Sequence, residues 1–229
     1  MRLTREDAAH NRLSIIEASG RMFRERGFDA VPLVDLMKEA GFTHGGFYNH
    51  FASKEALAAE ATSAAFKRAN AELIGALKQK PKSGGSPMSQ YVERYLSQRH
   101  RDAHATGCTL AALASDAARQ SKQVQAIFAK GIEEEIVIFS KYFREIDSAE
   151  QESISTSTRE RASTRERAIQ QISEMVGAVI LARAVADGNP ALSDEILEAN
   201  RRGLSGKGKK GRGSGKRRLS PKQKRSMAK

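Results

Sequence analysis

Between Leu33 and Ala40 the apolar positions Leu33, Leu36, Met37 and Ala40 fall at i, i+3, i+4 and i+7, the stripe of a short amphipathic helix. Gly41 supplies the stop that such a helix needs. Thr43 then stands where an N-cap would open a second helix, with Phe47 and Phe51 four apart on its buried face. Upstream, residues 1–10 are polar and read as a frayed arm or first turn, while Leu13, Ile16, Ser19/Gly20 and Phe23 mark the inner side of a helix ended by Gly27. Downstream, Ser53 caps a longer Ala-rich helix that runs through Ala76, and Lys80–Pro87 is a Pro/Gly/Ser loop.

The pattern stays helical to residue 203. Tyr91 and Tyr95 share one side of a helix from Met88, and Ala111–Ser121 reads as another. Ile127, Phe128, Ile132, Ile136, Phe139 and Phe143 line the inner face of a helix from Val124 to Phe143. Residues 148–168 are poor in apolar positions and hold the hexad Ser157–Ala162 repeated as Ser163–Ala168, a small duplication leading into the next helix. Ile169–Ala186 becomes apolar on all sides after Met175, so it needs covering on two faces, one by its own domain and one by a partner. A last helix, Leu192–Gly203, presents Leu192, Ile196 and Asn200 on one side. The expected fold class is all-α.

Helix, glycine-bearing turn and helix across residues 33–51 form a helix-turn-helix. Its second helix is locally weak, because Gly45 and Gly46 each cost about 1 kcal/mol relative to alanine. A glycine pair there lets backbone N–H groups approach a phosphate or a base edge. Thr43, His44, Tyr48, Asn49 and His50 add side-chain hydrogen-bonding groups around them.

From Arg12 to Leu57 the chain resembles the DNA-binding domain of the TetR family of bacterial repressors. The resemblance is carried by Ile15-Ile16-Glu17-Ala18, Met22-Phe23, Gly27-Phe28-Asp29-Ala30, Asp35-Leu36, Ala40-Gly41-Phe42, Gly46-Phe47-Tyr48-Asn49-His50-Phe51 and Ser53-Lys54-Glu55-Ala56-Leu57. Where the family has a Ser/Thr pair this chain has Val31-Pro32, which offers no hydroxyl to a phosphate. The resemblance implies a three-helix DNA-binding domain (1–57), a larger helical effector and dimerisation domain (58–204), and a homodimer on a double-stranded operator. It also places the Tyr48 hydroxyl and Lys54 at DNA phosphates, and has the helix after Lys54 re-space the two recognition helices. Gly107–Ala114 and Val176–Val185 resemble the effector domain of one branch of the family. The candidate ligand contacts are Phe66, Tyr91, Tyr95, Cys108, Phe128 and Phe139, facing a small-molecule inducer. The candidate dimer contacts are Ile172, Val176, Val179, Arg183, Leu192 and Ile196.

Composition changes this picture in one respect. The formal charge is +12, yet eleven of the 39 basic residues lie in 205–229 with no acid, leaving 28 basic and 27 acidic side chains in residues 1–204. The folded part is nearly neutral, so a DNA-binding argument rests on the helix-turn-helix. Residues 205–229 cannot bury a core and are expected to be disordered, either a salt-sensitive DNA arm or a solubilising extension. The lone Cys108 permits no internal disulfide, and the longest strongly apolar run, Met175–Ala182, is short of a membrane span. A cytoplasmic location is expected.

Other chemistry is sparse. His100, His104 and Cys108, at i, i+4 and i+8, would share a helix face as a zinc-like set, but Gly107 interrupts the helix and no fourth ligand follows. No metal, cofactor or enzymatic activity is expected, since phosphate-loop, nucleophile-elbow and dinucleotide motifs are lacking. Cys108 at a helix start has a reactive reading, a thiolate favoured by the helix N-terminus, and a plain one, a small buried hydrophobe. The alternatives to a ligand-released repressor are therefore a redox- or metal-sensing regulator and a helical scaffold without specific DNA binding.

Overall fold

The computed structural model describes residues 4–81, 84–150 and 158–205 (without the side chains of 149, 150 and 158–162), and several of its helices begin on a polar side chain that caps them. The tail 206–229 and most of the first hexad's detail lie outside the described residues. Helix α1 spans Arg5–Arg26 and opens with a capping box: the Thr4 hydroxyl accepts from the Asp7 N–H, and the Asp7 carboxylate accepts from the Thr4 N–H. Those bonds hold the Asp7 carboxyl below its usual range. Of the two readings of this stretch, frayed arm or first turn, the residues from Thr4 onward take the second. The inner face is shifted: Leu13 is exposed, and Ile15 fills the core position instead.

Helix α2, Leu33–Glu39, ends as the sequence requires. Gly41 has φ +84° and closes a Schellman motif, with Gly41 N–H on the Lys38 carbonyl and Phe42 N–H on the Met37 carbonyl. The next element, His44–Asn49, is a 3₁₀ helix and not the expected α-helix. Two glycines in six residues remove the propensity an α-turn needs, and the Thr43 hydroxyl makes no cap bond. The chain instead tightens through i→i+3 bonds, Gly46 N–H to Thr43 C=O and His50 N–H to Phe47 C=O.

Helix α3, Lys54–Lys78, starts on Ser53, whose hydroxyl accepts from the Ala56 N–H at 3.2 Å. Helix α4 is Pro87–Tyr95, with Ser86 as cap and proline at the first position. Short α5 (Gln98–Asp102) and α6 (Thr109–Ala117) follow, α6 starting two residues earlier than the pattern suggested. The long pair α7 (Lys122–Glu150) and α8 (Thr158–Val185) packs along much of its length, and α9 (Pro190–Leu204) lies on α8. No strand occurs among the described residues.

The second hexad proves to be more than a lead-in. It is helical, buries Ala168, and sends Arg165 to both oxygens of Glu133 at 2.7 Å. Arg167 reaches Asp147 and lies 4.1 Å over the Phe143 ring, so the duplication pins α8 to α7. Ser163–Val185 is long and apolar enough by composition to cross a membrane. Its apolar side chains Ala168, Ile172, Met175, Val179 and Ala182 are nonetheless core residues of the helical body. On α9 the inward positions are Ser193 and Leu197, with Leu192 exposed and Ile196 half-buried. The Ser193 hydroxyl donates to the Ala182 carbonyl at 2.8 Å and fixes α9 on α8.

Candidate functional site

The helix-turn-helix is held from behind by aromatic packing. Phe47 and Phe51 are buried and stacked at 5.6 Å, as their spacing predicted. Arg12 on α1 clasps the unit: its guanidinium lies 4.7 Å over the Phe51 ring, donates to the His50 carbonyl and pairs with Glu60 on α3. Sequence reasoning gave Arg12 no role, because its partners come from two other elements. On the outer side Thr43, His44, Gly45, Tyr48 and Asn49 are exposed, while Gly46, His50 and Lys54 are partly covered. The His44 and Tyr48 rings meet edge to face at 6.4 Å, and Tyr48 also braces on Phe47 at 5.2 Å. His50 is turned toward Phe42.

Nothing inside the protein requires glycine at 45 or 46. Neither has a positive φ. A Cβ on Gly45 would meet no atom within 4 Å, and one on Gly46 only the Thr43 hydroxyl at 3.7 Å. A residue pair that weakens its own helix without easing any internal contact leaves space for an outside body to approach the backbone.

Behind this unit lies a cavity of about 440 Å³ between α3, α4, α5, the start of α6 and α7. Four of the six expected ligand contacts line it: Phe66, Tyr91, Tyr95 and Cys108. Phe128 and Phe139 do not. Phe128 stands behind Phe66 in an edge contact at 5.3 Å, and Phe139 backs Tyr91 at 6.1 Å, so both support the wall as core. The buried Tyr95 hydroxyl faces the Cys108 thiol. Burial pushes both tyrosines' ionisation upward, keeping them neutral donors.

Glu135 was missed, although its spacing from Ile132 and Phe139 places it on the inner stripe of α7. It sits in a run of three glutamates of which Glu133 holds Arg165 and Glu134 receives Asn70. Glu135 alone of the three lines the cavity, and burial raises its carboxyl to about 7. Arg24 was missed as well. This buried α1 arginine donates to the Ala105 carbonyl at 2.8 Å, in the loop that brings Thr106 and Cys108 to the cavity wall. Burial lowers its guanidinium to about 10.

The series His100, His104 and Cys108 does not converge. The Cys108 N–H donates to His100 Nε2 at 3.1 Å, which makes Nδ1 the protonated nitrogen that donates to the Tyr95 carbonyl at 2.7 Å. Burial lowers the His100 pKa, in keeping with a neutral ring. His104 is exposed, and no metal-holding cluster occurs among the described residues. Cys108 caps α6, yet burial raises its thiol above the ordinary value, opposite to the shift that a helix N-terminus alone would give.

The expected dimer contacts divide in two. Ile172 and Val179 are covered by their own chain, and Arg183 is engaged by the Arg101 and His100 carbonyls. Val176 and Ile196 are partly accessible, and Leu192 is exposed. The accessible apolar positions of α8 are Ile169, Ile180 and Leu181, next to Gly177, where an added Cβ would meet nothing. Hydrophobicity on all sides hid which side was already taken.

Comparison with known proteins agrees with this architecture. Residues 15–61 match the family model of bacterial regulatory proteins, tetR family. The HTH-type transcriptional regulator TtgR of Pseudomonas putida is 42% identical over 57 residues, which is 25% of this chain and 27% of that protein. The chain thus matches about a quarter of that relative's length. Among solved structures, reduced Escherichia coli NemR aligns with TM-score 0.69 and 21% identity over 86% of this chain and 96% of that one. A TetR-family regulator from Cytophaga hutchinsonii aligns with TM-score 0.67 and 20% identity over 90% and 98%. At such identities these two show a shared fold, and the N-terminal matches add the family's sequence signature. Residues 15–61 thus carry the sequence signature of TetR-family regulators, in a chain that shares the fold of these structures.

Proposed function

We propose that the protein is a cytoplasmic, non-enzymatic transcriptional repressor that binds a palindromic operator as a homodimer and leaves it when a small molecule fills the cavity. The observation that carries this reading is the glycine pair at the start of the 3₁₀ helix, Gly45 exposed and Gly46 half-buried, weak as helix and needed by no contact among the described residues. Thr43, His44, Asn49 and His50 are the candidate base-reading or positioning side chains around it, and Tyr48 and Lys54 are the candidate phosphate contacts. The accessible stripe Ile169, Ile180, Leu181 and Leu192 is the candidate dimer face.

The mechanism is linkage. An inducer that prefers the DNA-incompetent arrangement must weaken operator affinity by the same coupling free energy that the operator imposes on the inducer. Two connections run from the cavity to the DNA unit: α3, which carries Phe66 and begins at Lys54, and the Arg24–Ala105 bond. A thiolate-based sensor is less favoured, because burial disfavours the reactive form of Cys108.

Selection from random duplexes should return a two-fold symmetric motif with half-sites about one helical turn or more apart. His44→Ala should lower the ratio of operator to random-sequence affinity, whereas Tyr48→Phe should weaken both by a similar factor. Gly45→Ala should stiffen the helix by about 1 kcal/mol and still reduce DNA affinity. Enrichment of no motif would sink the regulator reading. Undiminished DNA binding by Gly45→Ala would remove its main support.

A further inference from the structure

Glu135 lines the cavity beside its aromatic side chains, whereas the cavity's other carboxylate, Glu72, is exposed. Among the described residues Glu135 has neither a hydrogen bond nor an ion pair, while its two neighbours in the run are both engaged. Glu135 is half-buried, and leaving a partly desolvated carboxylate unpaired is costly, so folded proteins retain such groups mainly where they act. Burial is the cause of its raised pKa, with no nearby cation offsetting it. The cavity's arginines do not compensate: Arg68, Arg94 and Arg99 are exposed at its solvent-facing margin, and Arg94 lies 5.5 Å over the Tyr91 ring. The remaining titratable groups of the wall offer no positive charge either. Glu72 is exposed, and burial favours the neutral forms of Tyr91, Tyr95, His100 and Cys108. Beside the carboxylate stand the aromatic side chains of Phe66, Tyr91 and Tyr95, whose ring faces attract cations.

We propose that Glu135 is the counter-ion for a cationic apolar ligand, an amine or quaternary ammonium whose hydrocarbon body fills the aromatic cavity. This rests on the ligand-responsive reading above and names the class of ligand. An anion would have to leave the exposed arginines and enter against the carboxylate. A neutral ligand would leave that carboxylate unpaired. A cation supplies the missing partner and stacks its charge on the rings, the combination by which aromatic sites take up quaternary ammonium groups.

The test uses three probes of similar size on the full-length chain at pH 8: benzyltrimethylammonium, its uncharged carbon isostere neopentylbenzene, and the anion phenylbutyrate. Calorimetry and thermal shift should rank the cation first. Glu135→Gln keeps the shape and removes the charge. It should weaken the cation by at least about thirtyfold, the effect of losing one partner of a buried charge pair, and leave the neutral isostere unchanged. Circular dichroism on the variant checks that the helices persist. Equal or tighter binding of the isostere or the anion, or a cation affinity indifferent to Glu135→Gln, overturns the proposal while leaving an inducer cavity in place. Failure of all three probes to bind overturns the cavity reading as well.

Discussion

Val179→Glu should prevent folding, whereas Leu181→Glu, two residues further along the same helix, should fold and fail to dimerise. The two positions are equally apolar in sequence but differ completely in surroundings: Val179 is fully buried in its own protomer and Leu181 is 59% exposed. A charge forced into the first site finds no partner among Met175, Ala178 and Ala182, and an uncompensated buried charge costs several kcal/mol, a large share of a typical domain's stability. At the second site the same charge costs little in the separate protomer and much in a closed apolar interface. Circular dichroism with sedimentation separates the outcomes: helicity lost in the first variant, helicity kept with a halved mass in the second. A Leu181→Glu protein of unchanged mass would exclude this stretch of α8 from the interface.

Glu135→Gln should make the protein more stable at neutral and alkaline pH, an uncommon result for a change in a cavity wall. Folding raises this carboxyl from its ordinary 4.5 to about 7. Below pH 4.5 it is protonated in both states and costs nothing. As pH rises from there, the unfolded chain ionises first, so the penalty grows until the folded form also ionises near 7 and stays constant above it. At about 1.36 kcal/mol for each pKa unit the full penalty approaches about 3 kcal/mol, less as water entering the cavity screens the charge. Urea unfolding at a fixed protomer concentration should show the variant ahead at about pH 8 and level with the parent near pH 4. Equal stability at both would mean that the carboxyl is well solvated. Stability gained by removing a charged group from a binding cavity is the trade expected where a functional site is held under strain.

Sequence and structure agree where a single residue type has a single physical reason. Gly41 can take φ +84° where other residues rarely do, and Phe47 and Phe51 are separated by one turn with only one side to bury. Agreement ends where several arrangements share one pattern. Leu13 and Ile15 lie on opposite sides of the helix, yet each can extend an apolar stripe that includes Ile16, and packing against α3 leaves Ile15 inside and Leu13 exposed. In the Glu133–Glu135 run, charge favours solvent for all three, while the periodicity of Ile132 and Phe139 favours an inward Glu135. The bonds of Glu133 and Glu134 to other helices settle which carboxylate faces the cavity. The choice of 3₁₀ over α at His44–Asn49 depends on a cap bond that Thr43 could make and does not. Tyr91 and Phe139 fit an aromatic cavity wall equally well in sequence. The packing of one behind the other assigns them different duties.

The seat of Phe66 has a mechanical consequence. Its ring rests directly on the backbone of α7 at Gly131, where even a methyl group would stand 2.5–2.6 Å from the ring carbons. Phe128 closes the adjoining side. A ligand pressing on that ring cannot be accommodated by the side chain swinging away, because there is nowhere behind it to go. The load would pass to the helix that bears the ring, and α3 begins twelve residues earlier, at Lys54. A Gly131→Ala protein should therefore displace the Phe66 ring, and with it the helix that bears the ring.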